Sequence, residues 1–501
     1  MRRFVWLLGL LVMLVLGVVG VIWWGARDVI RLEPLDAQRF AQMRETEQVE
    51  WLIEQILARS RRTDLLATIA SELSLSPAAE RLPLDSREIE AIGMACVEYD
   101  LPHWLNAARR YVRAAEREHL TVYQAILQAR RGDWQAAEQT VRQIQTDAFK
   151  ALALAHLMRL QAEAGQSEAA QQSLNQLRAI LTRPADSKHS YYQTMALLLI
   201  INHSSIPERP EAAAAFVQSL HRDWHMAAIR WMLEYYRQRG DVEGLRAFAA
   251  LIPKHNRRET EMYLVRTLIE QGKVEEGLRL LGRIGKCRDI ELAQIARALH
   301  KQGRIQDART FADALRTRLL QDGFPLNLGQ LELSRRVPDT LRLPTPYGEV
   351  QVKIQLDYYT ARLLVQAYTE WGLPEAAEQL IAAVPHDHFQ VRAQMNMVYT
   401  CHKMGQQAQA RQHLERARAA VRKPTRRVPH GRPVIIGTSA EVGCTAAECG
   451  EFALALEVAN SAALFEQKDI LSCILRAYAF RRNAFWERLV APRGSDTVVA
   501  P

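Results

Sequence analysis

Cysteine is scarce in this chain: 501 residues hold six, at Cys96, Cys287, Cys401, Cys444, Cys449 and Cys473. None forms a CxxC pair, which argues against zinc-finger and thioredoxin-like centres. Cys444 and Cys449 stand near each other without a neighbouring His, so they read as small buried residues or an adventitious disulfide rather than as a metal site. Charge of one sign is missing too. The formal net charge is +9, yet Lys and Arg are interleaved with Asp and Glu, the pattern of solvated helix faces and not of a nucleic-acid surface. No GxGxxG or Walker A phosphate loop, no HExxH and no GxSxG occurs, which leaves the common nucleotide, metalloprotease and serine-hydrolase sites without their residues. His386 and His388 flank Asp387 after Pro385, but two His without a third partner read as polar turn residues. No cofactor, no metal and no small-molecule substrate is expected.

What is present begins with one long apolar run. From Phe4 to Trp24 there are 21 residues without a charge, and at about 1.5 Å each they reach roughly 30 Å, the hydrocarbon thickness of a bilayer. Met1-Arg2-Arg3 forms a basic flank, and Trp23-Trp24 supply rings suited to the far interface. A cleaved signal peptide is the competing reading; its apolar core is usually about 7 to 15 residues and ends in small residues, which this run does not. An uncleaved signal anchor is therefore expected at 4–24, in contact with lipid. Arg27, Arg31, Arg39 and Arg44 follow the span in company with Asp28, Glu33, Asp36 and Glu45, so the flanks nearly balance. The short basic tail favours a helical domain outside the cytoplasm, on a bacterial cytoplasmic membrane.

Beyond the run the chain is too long for one ordinary core, and it repeats. Glycines at 132, 165, 240, 272, 303, 372, 405 and 450 open similar segments, such as Gly132-Asp-Trp-Gln-Ala-Ala and Gly450-Glu-Phe-Ala-Leu-Ala. The steps from Gly132 to Gly165, Gly240 to Gly272, Gly272 to Gly303 and Gly372 to Gly405 are nearly equal and define one period. The gaps from Gly165 to Gly240 and from Gly303 to Gly372 each exceed two such periods, which suggests a glycine-less unit in each. Five residues after each glycine stands Ala137, Ala170, Leu245, Gly277, Ala308, Ala377, Ala410 or Ala455, and apolar residues follow four and seven positions later. That is one face of a helix. A second stripe precedes the glycine, as in Leu264, Val265 and Leu268 before Gly272. Each unit is thus helix, left-handed glycine turn, helix, with a small residue where the two helices approach. Pro253 and Pro385 fall where the second helix must stop.

This pattern resembles the tetratricopeptide repeat over roughly Pro102 to Tyr478, best at Gly132-Asp133-Trp134 with Ala137 and at Gly372 with Ala376-Ala377. Leu245 and Gly277 depart from the family's Ala, the Trp-Leu-Gly signature is not visible, and the short period leaves related helical-hairpin solenoids open. The expected fold is all-α: a solenoid of antiparallel helix pairs after one transmembrane helix.

The expected organisation is a tail at 1–3, the anchor at 4–24, and a helical juxtamembrane or N-capping region at 25–101, where Phe40, Met43, Val49, Leu52, Ile53, Ile56 and Leu57 keep helical spacing. Repeats follow at 102–320 and 353–422, separated by a Pro- and Gly-rich inserted loop at 321–352. A basic Pro/Gly loop at 423–443, with Arg426, Arg427, His430 and Arg432, precedes a last repeat and cap at 444–491 and a disordered tail at 492–501. Trp224, Trp231, Tyr235 and Tyr236 read as core. Stacked hairpins make a concave groove for a protein or peptide partner. The resemblance implies assembly, chaperone or secretion-accessory work by a scaffold and not an enzyme. The alternative is an enzyme with a site in the inserted loops or shared with a partner. No nucleic acid is expected as a ligand.

Overall fold

The computed structural model describes residue 32 and residues 34–72, 84–113, 116–186, 188–253, 256–322, 340–354, 358–383, 387–421 and 438–490. The expected anchor at 4–24, Pro385, His386 and the tail at 492–501 lie outside the described residues, as does the side chain of His388. Among the described residues no helix is long and apolar enough to cross a membrane.

The helices in chain order begin with α1 (Ala37–Gln42), α2 (Glu45–Glu72), α3 (Ser86–Tyr99), α4 (Pro102–Ala108), α5 (Arg117–Arg130) and α6 (Trp134–Gln143). Next come α7 (Asp147–Glu163), α8 (Ser167–Leu181), α9 (Ser190–His203), α10 (Pro210–Ser219), α11 (Arg222–Arg239) and α12 (Val242–Leu251). The third group is α13 (Arg257–Glu270), α14 (Val274–Ile284), α15 (Asp289–Lys301), α16 (Ile305–Asp322), α17 (Tyr358–Glu370) and α18 (Pro374–Ala383). The last is α19 (Asp387–Lys403), α20 (Gln407–Val421), α21 (Thr438–Glu448), α22 (Phe452–Ser461), α23 (Leu464–Arg482) and α24 (Ala484–Val490).

Helix pairs joined by glycine turns make up most of the array. All eight repeat glycines have φ between 66 and 81°, the left-handed conformation that closes a helix without a Cβ clash. Asp100, one period before Gly132, adopts the same conformation at φ 58° and ψ 49°. Asp tolerates it better than most residues, so α3 and α4 form a further unit. The residue five places after each glycine is buried. At Gly277 a Cβ would fall 2.7 Å from Ile269 Cγ1 and 3.1 Å from the Val265 carbonyl oxygen; the small residue there is what lets α14 lie against α13. In the longer glycine gap, α9 and α10 form the expected glycine-less unit, joined through a 3-10 turn at Ile206–Glu208, and α10 packs on α11 and α12. Trp224, Trp231, Tyr235 and Tyr236 are buried, as their helical spacing implies.

The other gap departs from expectation. Among the described residues of that gap, where a glycine-less helix pair and a loop at 321–352 were expected, α16 runs on to Asp322 and a β-hairpin of β2 (Thr340–Thr345) and β3 (Gly348–Lys353) precedes α17; residues 323–339 lie outside the described residues. The hairpin pairs antiparallel with Arg342 opposite Gln351, and β3 also pairs parallel with β1 (Lys286–Arg288). Alternation explains it: Leu343, Val350 and Val352 are buried with Cys287 over α14 and α15. Pro344 signals a loop, yet β2 is an edge strand, where a missing N–H leaves the ladder intact. The basic loop expected at 423–443 is likewise shorter, because α21 begins at Thr438; residues 422–437 lie outside the described residues.

Among the described residues the array closes on itself. Each odd-numbered helix from α3 onward packs on the next, and α23 packs on α3. The outer position beside α23 is filled by α2, from the opposite end of the chain. The two run antiparallel: Tyr478 Oη donates to Gln48 Oε1 at 2.6 Å, and Arg59 Nε to Gln467 Oε1 at 2.9 Å. Val49, Leu52, Ile53, Ile56 and Leu57, expected to lead into a cap, are buried in a core continuous with α23. The capping role expected for 25–101 is therefore replaced by closure, with α2 in the place of an outer helix beside α23 among the described residues. The Leu35 N–H donates to Asn460 Oδ1 and Asn460 Nδ2 donates back to the Leu35 carbonyl, at 2.7 and 2.8 Å, fastening the segment before α1 to α22.

The closure contains a buried ion pair. Lys468 Nζ lies 2.9 Å from Glu88 Oε1, with side chains 6% and 2% exposed. Burial, helped by the Asp85 charge and opposed by Lys468, pushes the Glu88 carboxyl up to about 7, and burial takes Asp469 to about 6. Because its folded pKa is raised, Glu88 contributes fully below pH 4.5 and the contribution is lost as pH rises through about 7. Two outcomes follow. The melting temperature of wild type should fall across that window more steeply than that of E88Q in a thermal melt. In urea unfolding at about pH 8, K468M should cost about 3–5 kcal/mol by leaving Glu88 without its cation, and E88L/K468M should recover most of it.

Candidate functional site

The inner helices present a recurring face two and six residues before each turn. Glu98, Arg130, Glu163 and Glu270 occupy the nearer position, and Arg159, Glu234, Arg266 and Arg297 the farther one. These charges pair within and between units. Arg237 Nη2 lies 2.6 Å from Glu234 Oε1 and its Nη1 2.5 Å from Glu270 Oε2, which also receives Arg266 Nε at 3.0 Å on its other oxygen. Arg297 Nη2 reaches Glu370 Oε1 at 2.6 Å across the β-hairpin insertion. Burial pulls the Arg237 pKa down, but Glu234 and Glu270 outweigh it and hold the guanidinium above its usual value. Over α11 to α17 the inner face is thus a belt of arginine–carboxylate pairs.

Over α3 to α9 the same face holds a helix. Asn483 is extended (φ −147°, ψ 100°), so α24 breaks from α23 and packs on α9. Trp486, 2% exposed, donates its indole N–H to Glu98 Oε1 at 2.5 Å. The same oxygen accepts from Asn483 Nδ2 at 3.1 Å and from Arg130 Nη1 at 2.5 Å. Trp486 also meets Tyr123 and His156, with ring centroids 6.3 and 5.4 Å apart. Phe485 lies beneath the Arg159 guanidinium, 3.8 Å from Cζ to the ring centre, a cation–π contact. Its ring makes T-shaped contacts with His156 and His203, both with centroids 5.8 Å away.

The floor under Phe485 is polar. Arg159 Nη1 lies 2.7 Å from Glu163 Oε1, but among the described residues Arg159 Nε and His156 Nδ1 are buried without a hydrogen-bond partner. Burial lowers the pKa of Arg159 against the opposing pull of Glu163, and it lowers His156 well below the usual imidazole value, with Arg159 adding to the effect.

The cysteines divide differently from their spacing. Cys444 is bonded to Cys473 across α21 and α23, while Cys449 is a free thiol with Cys96, Cys287 and Cys401. Helix geometry separates residues five apart, whereas the neighbouring inner helix brings Cys473 alongside. The carboxylates of Asp85, Glu88 and Asp469 come within 4.8 Å of one another, but the cation there is the Lys468 ammonium. Sequence reasoning did not single out Glu98, Arg159, Phe485 or Trp486. The available signal was Asn483 standing one period after Gly450, with an adjacent aromatic pair just beyond it. No protein-family model matches the chain, and no curated protein matches it significantly.

A double-mutant cycle on W486F and E98Q, read by urea unfolding, should show a coupling of about 1.5–3 kcal/mol, the range for a hydrogen bond to a charged group. A coupling near zero would mean that the indole N–H does not hold α24.

Proposed function

We propose that this chain is a membrane-tethered scaffold of the tetratricopeptide-like type, whose inner groove grips a helical segment of another protein. The observation that carries the reading is α24 itself, a short helix held on the inner face by an aromatic pair. This is helix-in-groove recognition, with large side chains as anchors and a charged acceptor setting orientation. The glycine-turn period and the small residue five places on support the family resemblance, and with it assembly, chaperone or secretion-accessory work without catalysis.

The apolar run at 4–24 is the proposed anchor, tethering the groove near a membrane complex and raising its effective concentration there. The Cys444–Cys473 bond supports a helical domain on the extracytoplasmic side, since disulfides persist in oxidising compartments. Cross-linking in the native membrane should recover a specific protein attached to the inner helices; recovery of none would sink the scaffold reading. Sidedness has its own readout. In the denatured chain, maleimide should label four of the six cysteines before reduction and all six after it. A C-terminal alkaline phosphatase fusion should be active; labelling of six without reductant and an inactive fusion would place the domain on the other side.

A further inference from the structure

We propose that the groove under α24 is a docking site for an acidic, aromatic helical segment of a partner protein, and that Phe485 and Trp486 fill it in the partner-free chain. The inference rests on the scaffold reading and gives the partner its chemistry.

The groove fits one half of its present tenant better than the other. Trp486 matches its surroundings: an indole N–H meets the Glu98 carboxylate, whose side chain is 3% exposed, and the ring is enclosed. Phe485 does not. It lies on Arg159 and against His156, residues 5% and 1% exposed, and it offers no hydrogen-bonding group to Arg159 Nε or His156 Nδ1. Buried polar atoms left unpaired are costly, so the floor favours a ligand that supplies what the phenyl ring lacks. A carboxylate in the place of Phe485 can accept from the Arg159 Nε–H, which Glu163 does not reach; with an anion beside it, the imidazole can also take a proton and donate. The adjoining pocket keeps its preference for an aromatic ring with an N–H.

The tenant is also built to leave. α24 has seven residues, too few to hold a helix without tertiary contacts. The extended Asn483 separates it from α23, so α24 can swing out while the α2–α23 closure stays packed. A partner segment with the better complement of groups then competes directly with residues 484–490.

The test uses the full chain and two fluorescein-labelled synthetic peptides, one with the sequence of residues 483–490 and one the same with Glu at the position of Phe485. Against the F485A/W486A chain, the Glu peptide should bind about ten-fold tighter than the native one. Wild type should bind the Glu peptide more weakly than the double variant does, and at saturating peptide its backbone hydrogen exchange over 484–490 should accelerate. Equal affinities of the two peptides, or unchanged exchange in a saturated wild-type chain, would overturn the proposal. If F485A/W486A does not fold, the wild-type exchange measurement decides alone. A cross-linked partner that contacts only α11 to α17 and leaves 484–490 protected would refute this inference while leaving the scaffold standing.

Discussion

The pairing of α2 with α23 is the contact on which the other arrangements rest. A helical array that stops must expose the flank of its last inner helix or cover it with a polar cap. Among the described residues α24 turns inward after α23, and the flank of α23 is taken by a helix from the N-terminal part of the chain. The core crosses the junction without interruption. Lys468 and Glu88 sit inside it, where ions are expensive and a shifted register would leave both unpaired. The pair therefore fixes which residues of α3 and α23 face each other.

That register sets the groove. Glu98 stands at the end of α3 and Asn483 at the end of α23, so the hydrogen bonds that place α24 are made across the closure. Around the rest of the inner face, Arg237, Arg266 and Arg297 are paired with carboxylates of the same or neighbouring units. These pairs satisfy each other. Under Phe485 the pairing is incomplete, which makes the region beneath α24 chemically distinct from the belt beyond it.

Much of the repeat was legible because its determinants are local. A glycine at a fixed offset from a small residue specifies a turn and a close approach, and every such glycine takes the left-handed conformation. Trp224 and Trp231 are buried for the same reason, since helical spacing alone decides the face. The hairpin at 340–353 was hidden by Pro344 and Pro346, which signal loops unless one knows that the strand lies at an edge. Asp100 was missed as a turn because its side chain is not Gly, although it stands on the period. Closure and the Cys444–Cys473 bond depend on which helices become neighbours in space, and no local spacing encodes that. The groove's tenant is of the same kind: Phe485 and Trp486 acquire meaning only beside Arg159 and Glu98, which lie far earlier in the chain.

The closure also imposes an order on synthesis. A ribosome delivers α2 first and α23 almost last, with Gln48 and its partner Tyr478 separated by 430 residues. Throughout that interval Val49, Leu52, Ile53 and Ile56 lack the α23 surface, their largest native contact, and have only α3 and the turn after α4 to pack against. The intervening hairpins can fold as they emerge, each on its predecessor, but the seam joins residues more than 400 positions apart and forms late. The nascent chain thus carries its own unsealed edge, and whatever shields α2 during translation shields the step that completes the ring.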